Sequence, residues 1–171
     1  MAAKVQNQRL LADQATLALH AYHEAGHVVI ALYFGINFEY VTILVDPEFQ
    51  TPGVKVFLEP QLSDISALPL NERFPVIRRY IIYSMAGQIA QEKFSRRSCF
   101  QSARSDRRFQ AECERIAECY HALDNLKGET KKILDQPSTW HRVEQVAEAL
   151  LQEKKLTYSD IVLLLGVIDA S

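Results

Sequence analysis

The chain has 171 residues, 48% of them apolar and 23% charged, which excludes the low-hydrophobicity, high-charge regime of disordered chains. Its 19 Lys and Arg stand against 21 Asp and Glu, a formal net charge of -2, so no global positive field gathers phosphate backbones or anionic lipid, and nucleic acid is not an expected partner. The length predicts a single domain over 1–171, with residues 1–12 a frayed or flexible N-terminus.

Asp13 can cap a helix that continues through QATLALHAYHEAGHVVIALYF and stops at Gly35, a residue suited to the left-handed turn after a helix. Next, FEYVTILV (38–45) and GVKVFL (53–58) are short, β-branched and aromatic, and the DPEFQTP between them is turn chemistry, so they predict a β-hairpin. Residues 60–72 carry the punctuation of a loop, and a second helix is expected from Pro75 to Phe94. SRRSCFQSARS (95–105) has no period and reads as a loop with three arginines. DRRFQAECERIAECYHALDNL then resumes a helical pattern, with Phe109, Cys113, Ile116, Tyr120 and Leu123 as its apolar stripe. Two closing helices follow, one carrying Trp140, Val143, Val146, Ala147 and Leu150, the other opening on the capping-box pattern TYSD before IVLLL. The expected fold is mainly α, with a small β-hairpin after the first helix.

The N-terminus lacks an uninterrupted apolar segment of signal-peptide character, and the longest apolar run elsewhere, IVLLLGVI, is far short of the roughly 20 residues a spanning helix needs. Cys99, Cys113 and Cys119 are odd in number and lack C-x-x-C spacing, so neither a disulfide framework nor a thiolate zinc site is indicated. A soluble protein of a reducing, cytoplasmic compartment is expected, without membrane insertion.

Against this background AYHEAGHVVIAL (21–32) stands out, because it sets three polar side chains in an apolar helix. His23, Glu24 and His27 spell H-E-x-x-H. At 3.6 residues per turn His23 and His27 lie one above the other, so two imidazoles can converge on one ion, while Glu24, rotated by about 100°, leaves the ligand row yet stays close enough to take a proton from an activated water. That is the arrangement that zinc-assisted hydrolysis asks for. Exposed polar residues on an amphipathic helix would give the same letters, but the flanks here are apolar nearly all round, and buried charged groups need partners or a metal. Ala25 and Gly26 leave the helix surface uncrowded, and since Gly26 costs about 1 kcal/mol of helix stability relative to alanine, a packing or access reason is expected. His20 lies two turns from His27, about 10.5 Å along the axis, and is read as structural or as a supporting group behind the ligands.

A catalytic zinc needs a third protein ligand. Stepping back three residues from Phe109 along the apolar row lands on Asp106, an acid on an inward-facing position. Helix capping, the favourable dipole position in a first turn, or pairing with Arg107 or Arg108 would each account for an acid there as well.

Together these segments resemble the peptidase domain of the FtsH family of membrane-bound, ATP-dependent zinc proteases. AYHEAGHVVIAL is similar to the start of that domain, VTILVDP and TPGVKVFLEP to its hairpin, IIYSMAGQIAQEKF to its second helix, SARSDRRFQAE to the segment that supplies an aspartate ligand, and VEQVAEALLQEKKLTYSDI to its closing helices. The likeness covers about residues 15–165 in the same order. It implies a helical zinc-peptidase fold, His23, His27 and Asp106 as ligands of a Zn2+ ion, Glu24 as general base, and a homo-oligomer by family analogy. Three departures stand out: no spanning segment or GxxxxGK[ST] phosphate loop occurs, Gln91 replaces one of two acids that the family carries, leaving Glu92, and Ser105 replaces an Asn before Asp106. The expected activity is hydrolysis of peptide bonds in peptides or unfolded protein segments, with any unfolding step left to a separate ATPase. A strand of the hairpin, YVTILV or VKVFL, could pair with an extended substrate. The alternative is a catalytically silent interaction domain that retains a metal site.

Overall fold

A computed structural model of the chain describes residues 2–48, 50–96 and 104–166. It is mainly helical, with one small antiparallel sheet. Helix α1 (Ala2–Phe34) is 33 residues long, so Asp13 lies inside it rather than capping it. Ala, Gln, Leu, Arg and Lys dominate the first dozen positions, and with no Pro or Gly among them nothing in that segment halts the helix. Its other end is the expected one: Gly35 takes φ +63°, and Ile36 N–H donates to the Ala31 carbonyl at 2.8 Å, closing the helix with a left-handed turn.

The hairpin forms from β1 (Asn37–Thr42) and β2 (Gly53–Phe57). It is not alone, because β3 (Lys155–Thr157) pairs antiparallel with β1 and makes the order β2-β1-β3. Both edges of β1 are therefore used. Of the two strands the sequence offered for pairing with an extended partner, the one at 40–45 is occupied, and β2 is the outer strand. Three residues are too few to carry a strand period, and β3 is held instead by what precedes it: the Lys154 carbonyl accepts from Ile43 N–H at 3.0 Å and from the Thr42 hydroxyl at 3.2 Å.

The segment expected as a loop over 60–72 contains a short helix, α2 (Leu62–Ser66), and the next helix begins earlier than Pro75. Helix α3 (Leu70–Ser95) runs from Pro69 as its N-cap, with Pro75 inside it. The N–H that Pro75 lacks would have met the carbonyl of Asn71, an exposed residue in the first turn of the helix, where the loss of one such bond is tolerated. α3 buries Ile77, Tyr80, Ile81, Ile82, Tyr83, Ala86, Ile89 and Ala90, an apolar surface on several sides, and packs most extensively against α1.

The helical run expected from 106 breaks in two. Helix α4 (Arg104–Ala117) ends where Glu118 takes φ +50° and Cys119 N–H donates to the Glu114 carbonyl at 3.3 Å; after a 3-10 turn, α5 (Leu123–Asp135) follows. Helices α6 (Pro137–Glu153) and α7 (Tyr158–Leu165) close the described chain, so three helices follow the break where two were expected. α7 opens on the TYSD capping box: the Thr157 hydroxyl accepts from Asp160 N–H, and the Asp160 carboxylate accepts from Thr157 N–H. The core is continuous: α1 packs against α3 and α6, α4 and α5 both pack against α3, and α5 also touches α6. Among the described residues no helix is long and apolar enough to cross a membrane. Cys113 and Cys119 are buried free thiols; Cys99 and most of the arginine-containing loop lie outside the described residues.

Candidate metal centre

Three helices meet around the H-E-x-x-H segment. His23, Glu24 and His27 on α1 are 3%, 5% and 3% exposed, so the polar residues of the motif face the interior. α4 runs back along α3: Arg73 near the start of α3 donates to the Ile116 carbonyl at 3.0 Å, Tyr80 and Phe109 lie with ring centroids 6.5 Å apart, and Asp106 in the first turn of α4 is thereby brought to the level of the histidines. Its Oδ2 lies 2.9 Å from His23 Nε2 and 3.3 Å from His27 Nε2, and the two Nε2 atoms are 3.2 Å apart. The first-turn position suits an acid for the helix dipole too, so that reading of Asp106 and the contact with the imidazoles hold together.

The outer nitrogens decide what the inner ones can do. His27 Nδ1 lies 2.8 Å from the Tyr83 carbonyl and His23 Nδ1 lies 3.1 Å from Gln91 Oε1. Carbonyl and carboxamide oxygens only accept, so both Nδ1 atoms carry protons and donate, which leaves the Nε2 lone pairs pointing inward. Two lone pairs and a carboxylate oxygen then face one another at close range, an arrangement that repels itself unless a cation or a proton sits among them. The three separations are near the roughly 3.3 Å edge of a tetrahedron whose centre lies 2.0 to 2.1 Å from each corner, the bond length zinc makes with histidine.

α3 supplies the walls of this cradle through residues spaced by four. Tyr83 gives its carbonyl, Gln91 its amide, and Gly87, between them, gives no side chain: a Cβ there would lie 2.3 Å from His27 Nε2 and 2.6 Å from His23 Nε2. The room beside the two nitrogens exists because residue 87 is glycine. Gly26 explains itself in the same way, since a Cβ on it would lie 2.7 Å from the Ala86 carbonyl oxygen and 2.7 Å from Ala90 Cβ. Its reason is packing, as it lets α1 and α3 approach closely enough for the contacts above. The donor set, its edge lengths and the empty Cβ position fit a divalent ion of zinc's size.

The charges reflect the same crowding. Burial raises the Asp106 carboxyl, but the two histidines beside it outweigh that and hold it well below the usual carboxylate range. Burial pushes His27 down, and the charge and hydrogen bond of Asp106, with the Tyr83 carbonyl, more than offset it, so His27 is raised. Burial lifts the Glu24 carboxyl to about 8, His23 draws it down and the charge of Asp106 adds to the rise. A dication held by the three ligands would pull Glu24 back toward its ionised form. The Tyr83 phenol is raised well above its ordinary range by burial and then by Asp106 and Glu24.

The other histidines stay out of the cluster. His20 is half-buried on α1, and His121 and His141 are exposed. Tyr83 and Gly87 were not singled out by the sequence; their signal is the spacing of four along α3, which becomes legible once the helix is known to face α1. No family model matches the chain, and no curated protein does either. The likeness to FtsH peptidases thus rests on the segments quoted above.

Proposed function

We propose that this chain is a zinc-dependent peptidase domain of the FtsH kind, hydrolysing peptide bonds in peptides or unfolded segments. The observation that carries the reading is the convergence of His23 Nε2, His27 Nε2 and Asp106 Oδ2, each separation between 2.9 and 3.3 Å, with both Nδ1 atoms committed elsewhere. Three protein ligands leave a fourth position for water or substrate, as catalytic zinc sites do and closed structural sites do not. Bound there, zinc would polarise the scissile carbonyl and make a water acidic enough to lose a proton near neutral pH. Glu24, beside the ligand pair and in a setting that lifts its affinity for protons, would accept that proton and pass it to the departing amine. His23 and His27 keep their orientation through Gln91 and Tyr83 while this happens. The outer strand β2 is where an extended peptide could add by backbone hydrogen bonds. The two buried free thiols suit a reducing compartment such as the cytoplasm.

The second reading, a domain that holds metal without catalysing, is favoured by one observation: Glu24 is 5% exposed, with little access to solvent. The two readings separate in one experiment. Zinc-loaded wild type and Glu24→Gln are incubated with a peptide library and the cleavage products counted. The peptidase reading requires cleavage that Glu24→Gln lowers by at least about 100-fold at equal zinc content; equal cleavage by both proteins overturns it, and no cleavage by either protein leaves the silent domain.

A further inference from the structure

We infer that Gln91 is the positioning residue that fixes the tautomer of His23 and, being an amide rather than a carboxylate, sets how tightly the site holds its metal. The inference rests on the metal reading above and concerns the part of that site where this chain departs from the family it resembles. His23 and His27 are oriented by different means. His27 donates from Nδ1 to a backbone carbonyl, that of Tyr83, which no side-chain change removes. His23 donates to a side chain, Gln91 Oε1 at 3.1 Å, so its orientation depends on what residue 91 is. Gln91 is 1% exposed, so the hydrogen bond is not exchanged with solvent.

Two consequences follow from the chemistry of the amide. An acceptor oxygen at His23 Nδ1 requires the proton on that nitrogen, which frees the Nε2 lone pair for the cluster; an amide turned the other way would donate to Nδ1 and put the proton on Nε2, where it would block a ligand. Charge is the second. Asp106 brings one negative charge to a dication, and Gln91 adds none, so the liganded centre keeps a net positive charge. A carboxylate at 91 would bring a second negative charge and make His23 a stronger donor, tightening the hold on the metal and lowering its pull on a substrate carbonyl. Glu92 does not take this part, because its carboxylate accepts from Gln88 Nε2 at 2.8 Å, one turn back on α3.

The test uses wild type, Gln91→Ala and Gln91→Glu, each prepared free of metal. Ring nitrogen shifts in NMR report the His23 tautomer, and competition with a chromophoric chelator reports zinc affinity. Wild type is expected to carry the proton on His23 Nδ1. Gln91→Ala is expected to bind zinc about 10- to 100-fold more weakly, and Gln91→Glu, which restores an acceptor, about tenfold more tightly than wild type. A wild-type His23 protonated on Nε2, or affinities of the three proteins within twofold, would overturn the assignment. Wild type with the Nδ1 proton but no zinc uptake would overturn the affinity half together with the metal reading, and leave the tautomer half standing on the NMR.

Discussion

His23 and Asp106 are 83 positions apart in sequence, and their Nε2 and Oδ2 atoms are 2.9 Å apart. Asp106 is on a helix that packs along α3, and α3 in turn packs on α1, so the contact reports the correct assembly of three helices. If the carboxylate is a ligand, metal should stabilise the fold through it. Zinc at about 100 times its dissociation constant is expected to stabilise wild type by about 2.7 kcal/mol. The same zinc concentration should shift the melting temperature of Asp106→Ala and His23→Ala by far less. Equal shifts in wild type and Asp106→Ala would move the third ligand elsewhere.

Gly87 should be the least replaceable residue of the centre besides His23, His27 and Asp106. A methyl group there would lie 2.3 Å from one Nε2 and 2.6 Å from the other, and each imidazole is already held at its far nitrogen, so one ring must break its Nδ1 hydrogen bond to move. Gly87→Ala is expected to weaken zinc binding by at least about 100-fold. Far-ultraviolet circular dichroism should show the helices retained, because alanine favours a helix over glycine by about 1 kcal/mol. Wild-type zinc affinity in Gly87→Ala would mean that the space beside the histidines is not where the ion sits.

The sequence announced the centre more clearly than the frame that builds it. The grouping of His23, Glu24 and His27 follows from helical spacing, a local pattern, whereas the inward row of α4 left Asp106 one candidate beside capping and pairing with arginine, and the family resemblance singled it out. What the sequence obscured was set by tertiary contacts. The break after Ala117 occurs at Glu118, a left-handed residue with no glycine or proline to mark it. β3 is a strand only because β1 offers an edge, and α1 begins at Ala2 because nothing in its first turns opposes helix. Tyr83 takes part through its carbonyl, which leaves no trace in the choice of side chain. Gln91 was legible as a departure from a pattern, and its contact with His23 needed the packing of α3 on α1.

The close approach of α1 and α3 can be tested apart from the metal. Gly26→Ala would place a methyl group 2.7 Å from a backbone oxygen, that of Ala86, and 2.7 Å from Ala90 Cβ. Overpacking of this kind costs about 1 to 3 kcal/mol, and the better helix propensity of alanine returns about 1 kcal/mol. Urea unfolding of metal-free protein is therefore expected to show Gly26→Ala destabilised, by up to about 2 kcal/mol. A variant as stable as wild type would show that the two helices can separate at this point without cost, and the packing account of Gly26 would fail.

The C-terminal capping box predicts a pH dependence remote from the centre. Thr157, through its hydroxyl and then its backbone N–H, hydrogen-bonds the Asp160 carboxylate and holds its pKa below the ordinary value of 3.8. A carboxyl depressed in the folded state binds its proton more readily when unfolded, so its contribution is complete above the unfolded value and fades as pH falls through the folded one. The stability difference between wild type and Asp160→Ala should thus be constant from pH 7 to about 5 and shrink on further acidification. Comparing the two proteins at each pH removes the titration of every other group they share. Urea midpoints measured for both between pH 7 and pH 2 decide the matter: a difference that stays constant across the whole range would mean that the ionised carboxylate adds nothing to the cap.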